Sequence, residues 1–320
     1  MNRPNASNPP VVGMIMTVSG AIVPDSMGFT LSHEHVMSTF GSECVRYPFY
    51  DRERVLTSVL PYLRRVKEWG CRTLVDCTAA YFGRHPELLR DIATASGLQI
   101  LTNVGYYGAA DHRYVPPHAY QETADQLAAR WIREWKDSID GTGVRPGFIK
   151  TAVDAGPISA VNRKLLTAAV RTHRETGLTI QTHIGDNWDA VQETLSILRA
   201  EKVHPSAWIW VHAHSMQDAS KLIQVAEQGA WISLDGINAE ISTHVLELLT
   251  ELKQHGRINQ VLLSHDGDSY FGNGECRPYH YIFTDFLQQL QGAAFGDADI
   301  HAMAVSNPAR AYAIRPRLIE

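Results

Sequence analysis

Eight short apolar, β-prone runs alternate with amphipathic stretches along nearly all of this 320-residue chain, and that alternation limits the fold more than any other feature. The runs are 29–35, 73–78, 99–107, 147–153, 179–185, 207–214, 231–237 and 261–267. Between them, apolar residues recur at helical spacing over about 52–69, 85–97, 119–139, 160–176, 188–202, 216–228 and 240–255. Gly70, Gly97, Gly177 and Gly229 stand where helix ends favour a left-handed residue. Strands that each lead into a helix read as parallel, and eight of them predict a (β/α)8 TIM barrel of the α/β class. A doubly wound sheet has the same alternation, but its phosphate-binding fingerprint is missing. Gly141-Thr142-Gly143-Val144-Arg145-Pro146-Gly147 has the wrong glycine spacing and precedes a strand instead of following one.

No internal repeat or low-complexity linker marks a boundary, so residues 11–320 read as one barrel domain. A polar leader over 1–10 is predicted to be a disordered tail. Residues 11–23, with Gly13 and Gly20, predict a small β-hairpin that would plug one end of the barrel. Net charge is -5 and no Lys/Arg block occurs, which argues against nucleic acid or an anionic membrane as partner and for a small-molecule substrate. No run reaches membrane-span length and no signal peptide is evident. Cys44, Cys71, Cys77 and Cys276 form no C-x-x-C pair; they read as thiols of a reducing cytoplasm.

The strand ends carry the chemistry. In a β/α barrel the reactive groups gather at the C-terminal ends of the strands. There, strand one ends in His33 and His35, strand four carries Lys150, strand five ends in His183, strand six in His212 and His214, and strand eight in Asp266. Side chains two apart on a strand share a face, so His33 and His35 converge while Glu34 points away. Imidazole and carboxylate donors around one mouth suit zinc or a similar divalent ion. Lys150 lies within a run of buried-strand character, where an unpaired ammonium is costly. An uncharged amine there can instead take up carbon dioxide, and the resulting carbamate has two oxygens able to bridge two cations. Spacing alone does not choose between His212 and His214.

The motifs Gly28-Phe29-Thr30-Leu31-Ser32-His33-Glu34-His35, Gly147-Phe148-Ile149-Lys150, Thr182-His183, His214-Ser215, Asp266 and Asn307-Pro308-Ala309-Arg310 follow one another in order. With them the chain resembles the phosphotriesterase family of the amidohydrolase superfamily. The resemblance implies that His33, His35 and Asp266 hold a buried ion and that His183 and His214 hold an exposed one. It also implies that N6-carboxylated Lys150 bridges the two, with a hydroxide between the ions as nucleophile and Asp266 accepting its proton. It leaves the metal open among Zn, Mn, Co and Fe, and it suggests a homodimer.

Tyr106 falls where lactonase members of the family carry a tyrosine beside the metals, and Asp154 likewise resembles those members. Together they favour a lactone or carboxylic ester as substrate, with organophosphate triesters as a side activity. A native phosphoester hydrolase is the alternative, and a non-catalytic metal-stabilised binding protein a third reading. Gly236 departs from the family, which has a histidine or arginine there, so no proton relay can run through that side chain. Met216 and Gln217 replace acidic residues common in the family. The loop 267–274 reads as a specificity lid, and 108–118, with His112, Arg113 and Tyr114, as a contact for a polar substituent.

Overall fold

The computed structural model describes residues 12–41, 44–270 and 276–320; the leader over 1–10 lies outside them, as do Phe271–Gly274 of the expected lid. Strands β1 (Ile15–Thr17) and β2 (Gly20–Ile22) form the expected antiparallel hairpin. Parallel strands follow: β3 (Thr30–Glu34), β4 (Thr73–Asp76), β5 (Gln99–Leu101), β6 (Asn103–Val104), β7 (Phe148–Ala152), β8 (Thr179–His183), β9 (Trp208–Val211), β10 (Trp231–Leu234) and β11 (Val261–Leu263). β5 and β6 are halves of one stave interrupted at Thr102, whose carbonyl accepts from Gly147 N at 2.7 Å. The last stave closes on the first: Asp266 N donates to His33 O at 3.1 Å and His35 N to Gly267 O at 2.8 Å. The result is the eight-staved barrel that the alternation predicts.

The helices form where the apolar spacing places them. α1 (Arg52–Glu68), α2 (Pro86–Ser96), α3 (His118–Gln121), α4 (Ala124–Asp137), α5 (Ala160–Thr176), α6 (Trp188–Ala200), α7 (Ala219–Glu227) and α8 (Ser242–Gln254) lie between the staves. α5 shows the local logic at both ends. Ser159 accepts from Asn162 N to cap its start, and Gly177, at φ 73°, ends it in the left-handed region. A β-carbon at Gly177 would stand 2.7 Å from the Arg315 backbone, so the close approach of the C-terminal segment needs glycine as well. The helix expected over 119–139 is divided, because Thr123 leaves the helix to cap α4 with a reciprocal Gln126 bond.

The barrel interior is filled by Val75, Cys77, Leu101, Phe148, Ile209 and Leu262, with Ile15 of the hairpin and Tyr312 packed beneath. Leu31, Leu74, Val104, Ile149 and Ile180 point the other way, into the layer shared with the helices. Apolar burial of this kind on both faces of a parallel sheet leaves the strand ends as the place for polar side chains. No helix among the described residues is long and apolar enough to cross a membrane.

Candidate metal centre

A bulge in β3 aims the first two histidines. Leu31 pairs with Leu74 and Glu34 with Asp76, three residues against two, so the extra residue reverses the alternation set by Leu31. His33 and His35 then face the barrel axis, and Glu34 faces outward. Glu34 is fully buried and accepts from Ser264 Oγ, His265 N, His265 Nδ1 and Gly267 N at 2.7–3.0 Å. It thereby clamps the segment that carries Asp266. That residue sits at φ 55°, a left-handed turn that swings its carboxylate over the barrel mouth.

There Asp266 Oδ1 lies 3.2 Å from His33 Nε2 and 3.3 Å from His35 Nε2. His35 Nδ1 is fixed by Thr78 Oγ1 at 2.8 Å. On the far side the His183 and His212 rings stand with centroids 4.2 Å apart, edge to face. Burial, with His212 and Lys150 close by, holds the His183 imidazole well below its ordinary pKa, and burial takes His35 down to about 4. Both rings are therefore neutral near pH 7 and keep a lone pair to offer an ion. Burial opposes ionisation of Asp266, but the contacts from His33 and His35 outweigh it and hold the carboxyl well below the usual range.

Lys150 rises from β7 into this ring. It is 1% exposed, its backbone pairs with Gln181, and its amine has no hydrogen-bond partner among the described residues. A buried orphan amine beside His33 and His183 is an expensive arrangement for a protein with nothing to put there. Ligand atoms of His33, His212 and Asp266 all lie within 4.8 Å of one another, a spacing one cation can bridge. These residues fit a metal centre, and the orphan amine fits a bridging carbamate between two ions.

Two predicted site residues are placed elsewhere. His212, not His214, joins the ring. His212 lies at φ 63°, and this turn breaks the strand alternation that would treat positions 212 and 214 alike. Its Nδ1 is bound to Asp235 Oδ1 at 2.8 Å, so Nε2 faces the cavity. His214 groups instead with His212 and Asp235, ligand atoms of the three lying within 4.8 Å of one another; its Nδ1 is 3.3 Å from the same carboxylate and its ring is against Gly236. A β-carbon on Gly236 would meet His214 Nε2 at 2.4 Å. Tyr106 is also displaced. Counting in twos from inward Leu101 gives Asn103, Gly105 and Tyr107, which leaves Tyr106 on the outer layer. There its hydroxyl meets His118 Nε2 at 2.9 Å and its ring packs on Trp131. Tyr107 lines the cavity instead, with its hydroxyl 3.5 Å from His183 Nδ1.

Asp235 is the residue sequence reasoning passed over. Fully buried at the end of β10, it touches His212, His214 and, at 3.3 Å, His33 Nδ1. Its signal was available: Trp231, Ser233 and Asp235 share the inward parity of β10. Asp154 does not reach the cavity; its carboxylate accepts from Ala110 N and Asp111 N and so shapes the 108–118 loop. Within that loop His112 meets Ser159 Oγ at 3.0 Å and Arg113 donates to Gly41 O, contacts that pin the loop rather than present it to a substrate.

The cavity over the ring has a volume of about 140 Å³ and an aromatic wall of Phe40, Phe82 and Tyr107. A wider cleft of about 520 Å³ adjoins it, and His212, Asp266 and Arg277 line both.

The sequence model of the phosphotriesterase family matches residues 13–312. This chain belongs to the phosphotriesterase family. It is thereby a hydrolase, and the family generally depends on a binuclear metal centre. A phosphotriesterase homology protein of Escherichia coli is 26% identical over 299 residues, covering 89% of this chain and 98% of that protein. An aryldialkylphosphatase of Saccharolobus solfataricus is 25% identical over 305 residues, covering 90% and 96%. An N-acetyltaurine hydrolase of Salmo salar is 24% identical over 346 residues, covering 93% and 97%. Among solved structures, a mutant organophosphorus hydrolase from Deinococcus radiodurans superposes with a TM-score of 0.84 at 27% identity, covering 94% of this chain and 99% of that one.

Proposed function

We propose that this chain is a binuclear metal-dependent hydrolase of a carboxylic ester or lactone. Its two divalent ions are held by His33, His35, His183, His212, Asp266 and the carbamate of Lys150. The observation that carries the reading is the orphan, buried Lys150 amine set beside His33 and His183. Zinc is our choice of ion, although the same donors accept Mn, Co or Fe. When bound, the ions polarise the scissile carbonyl and supply an activated water at neutral pH.

The chain's own residues do the rest. Asp266 is placed to take the water's proton, because its Oδ1 faces the ring while Oδ2 faces the outer cleft. Asp235 holds His212 in one tautomer with Nε2 inward. Tyr107 takes the cavity-side role that the family resemblance implies for Tyr106, its hydroxyl on the His183 side of the cavity. The free cysteines and the charge balance accord with a cytoplasmic enzyme, and we take it to be a homodimer.

Phosphoester hydrolysis is the second reading, favoured by relatives named for aryldialkylphosphate and organophosphorus substrates. A panel of lactones, carboxylic esters, N-acyl amides and aryl phosphotriesters on metal-loaded protein separates the two. We expect the best lactone or ester to exceed the best phosphotriester at least tenfold in kcat/KM; the reverse order installs the second reading. Metal analysis is expected to give about two ions per chain, with one lost in His212→Ala and both kept in His214→Ala. Two ions with no turnover of any class would leave a metal-stabilised binding protein.

A further inference from the structure

Two imidazoles of the ring have their second nitrogen on a partner at 2.8 Å. His212 Nδ1 meets the Asp235 carboxylate, and His35 Nδ1 meets the Thr78 hydroxyl. His33 Nδ1 stands 3.3 Å from Asp235 Oδ2, and His183 Nδ1 3.5 Å from the Tyr107 hydroxyl. Thr78 therefore holds His35 as closely as a carboxylate holds His212, without a charge.

The hydroxyl is placed by rigid surroundings. Thr78 is fully buried and lies just past the end of β4. Asn103 Nδ2 donates to Asp76 O at 3.1 Å and to Thr78 O at 3.0 Å, and Cys77 N donates to Glu34 O at 2.8 Å, so the backbone here is pinned from both neighbouring staves. A β-branched side chain on a fixed backbone has little rotamer freedom. Asp76 Oδ1 also accepts from Val36 N at 2.8 Å, which ties the residue after His35 to the same strand end.

Counting protons gives the hydroxyl its direction. Thr78 Oγ1 has one proton, and Met37 O at 3.0 Å is a better acceptor for it than Asp76 Oδ1 at 3.4 Å. Toward His35 the oxygen then offers lone pairs only, so Nδ1 is the donor. A neutral imidazole protonated on Nδ1 keeps its lone pair on Nε2, which faces the ring 3.3 Å from Asp266 Oδ1.

On the metal-centre reading above, we infer that Thr78 is a positioning residue: its hydroxyl, with its own proton committed to Met37 O, accepts from His35 Nδ1 and keeps Nε2 available to an ion. The two sides of the ring then differ. The carboxylate behind His212 gives its imidazole both direction and charge, and the hydroxyl behind His35 gives direction alone.

Zinc affinity, measured by competition with a chromogenic chelator, separates a hydroxyl from a filler of the same shape. Thr78→Val is expected to weaken one of the two sites about tenfold and leave the other unchanged, while Thr78→Ser stays within about threefold of wild type. Thr78→Ala serves as a second variant without the hydroxyl, and urea unfolding of the zinc-free proteins checks that each one folds. A merely structural residue would not move the second readout, the His35 Nδ1–H resonance of zinc-loaded protein labelled with 15N-histidine, assigned by its absence from His35→Gln. In wild type and Thr78→Ser that signal should lie downfield and exchange slowly with water; in Thr78→Val it should move upfield and exchange faster. Wild-type affinity in Thr78→Val, an equal loss in Thr78→Ser, or an unmoved Nδ1–H signal overturns the inference and leaves the hydrolase reading intact. Two bound zinc ions and the expected Thr78 pattern, without turnover of any ester, lactone or phosphotriester, overturn the hydrolase reading and leave Thr78 in its role.

Discussion

Two buried cationic side chains occupy opposite ends of the same barrel. At the C-terminal end, Lys150 is 1% exposed and its amine finds no partner among the described residues. At the N-terminal end, Arg317 is 6% exposed, and its terminal nitrogens reach Thr179 Oγ1 and the carbonyls of Arg310, Ala311 and Ala313 at 3.0–3.1 Å. The second is a fastener: its donors bind carbonyls left over at a helix end, as buried polar groups do when they serve stability. The first is held in readiness. The whole charged head of Lys150 is left without a partner, whereas Arg317 has its terminal nitrogens bound, and the contrast tells the working end of the barrel from the closed end.

Replacing Lys150 by Met gives the largest effect. We expect activity to fall at least a thousandfold, about 4 kcal/mol in transition-state terms, and bound metal to fall below two ions per chain. The melting temperature of the metal-free protein is expected not to drop. A large loss of metal-free stability would show that Lys150 is a fastener too, and the comparison would break.

Arg317→Met is expected to behave in the opposite way. Loss of its hydrogen bonds costs about 3 kcal/mol of folding stability, read by denaturant unfolding, since a charged donor set bound to buried acceptors is removed. Turnover per folded molecule should stay within twofold of wild type.

The same end sharpens the contrast through pH. His173 is buried between Leu178 O, 2.8 Å from its Nδ1, and Arg317 N, which donates to its Nε2 at 3.0 Å. Burial lowers its pKa to about 4, against an unfolded value of about 6.5. Between those values the folded state binds fewer protons than the unfolded one, so stability rises with pH across the window and is lost on acidification. His173 alone accounts for about 3 kcal/mol between pH 6.5 and 4. Urea midpoints of wild type and His173→Gln should therefore converge as the pH falls from 6.5 to 4. Parallel curves would mean that His173 titrates normally.

What could be read from the sequence follows the regular part of the backbone. The bounds of α5 were legible to the residue because apolar spacing, a serine cap and a glycine stop agree, and the staves were legible because each is apolar on both faces. The convergence of His33, His35, Lys150, His183 and Asp266 at one barrel mouth was legible because they lie at strand ends that the alternation locates. Legibility failed where the chain leaves regular geometry. The exchange of His214 for His212 turns on one left-handed residue, and the choice of Tyr106 over Tyr107 on which face of a broken stave each occupies. Asp235 was passed over for another reason: its importance lies in three partners on two other strands, which no local pattern displays.

Gly236 and His214 form a single packing unit. The imidazole occupies the volume in which any side chain at 236 would begin, so a methyl group there must evict the ring and with it the contact to Asp235. A histidine placed at 236 is sterically incompatible with His214 in this pose. Filling position 236 in this chain would therefore be felt first at Asp235, which would lose one of its three imidazole contacts.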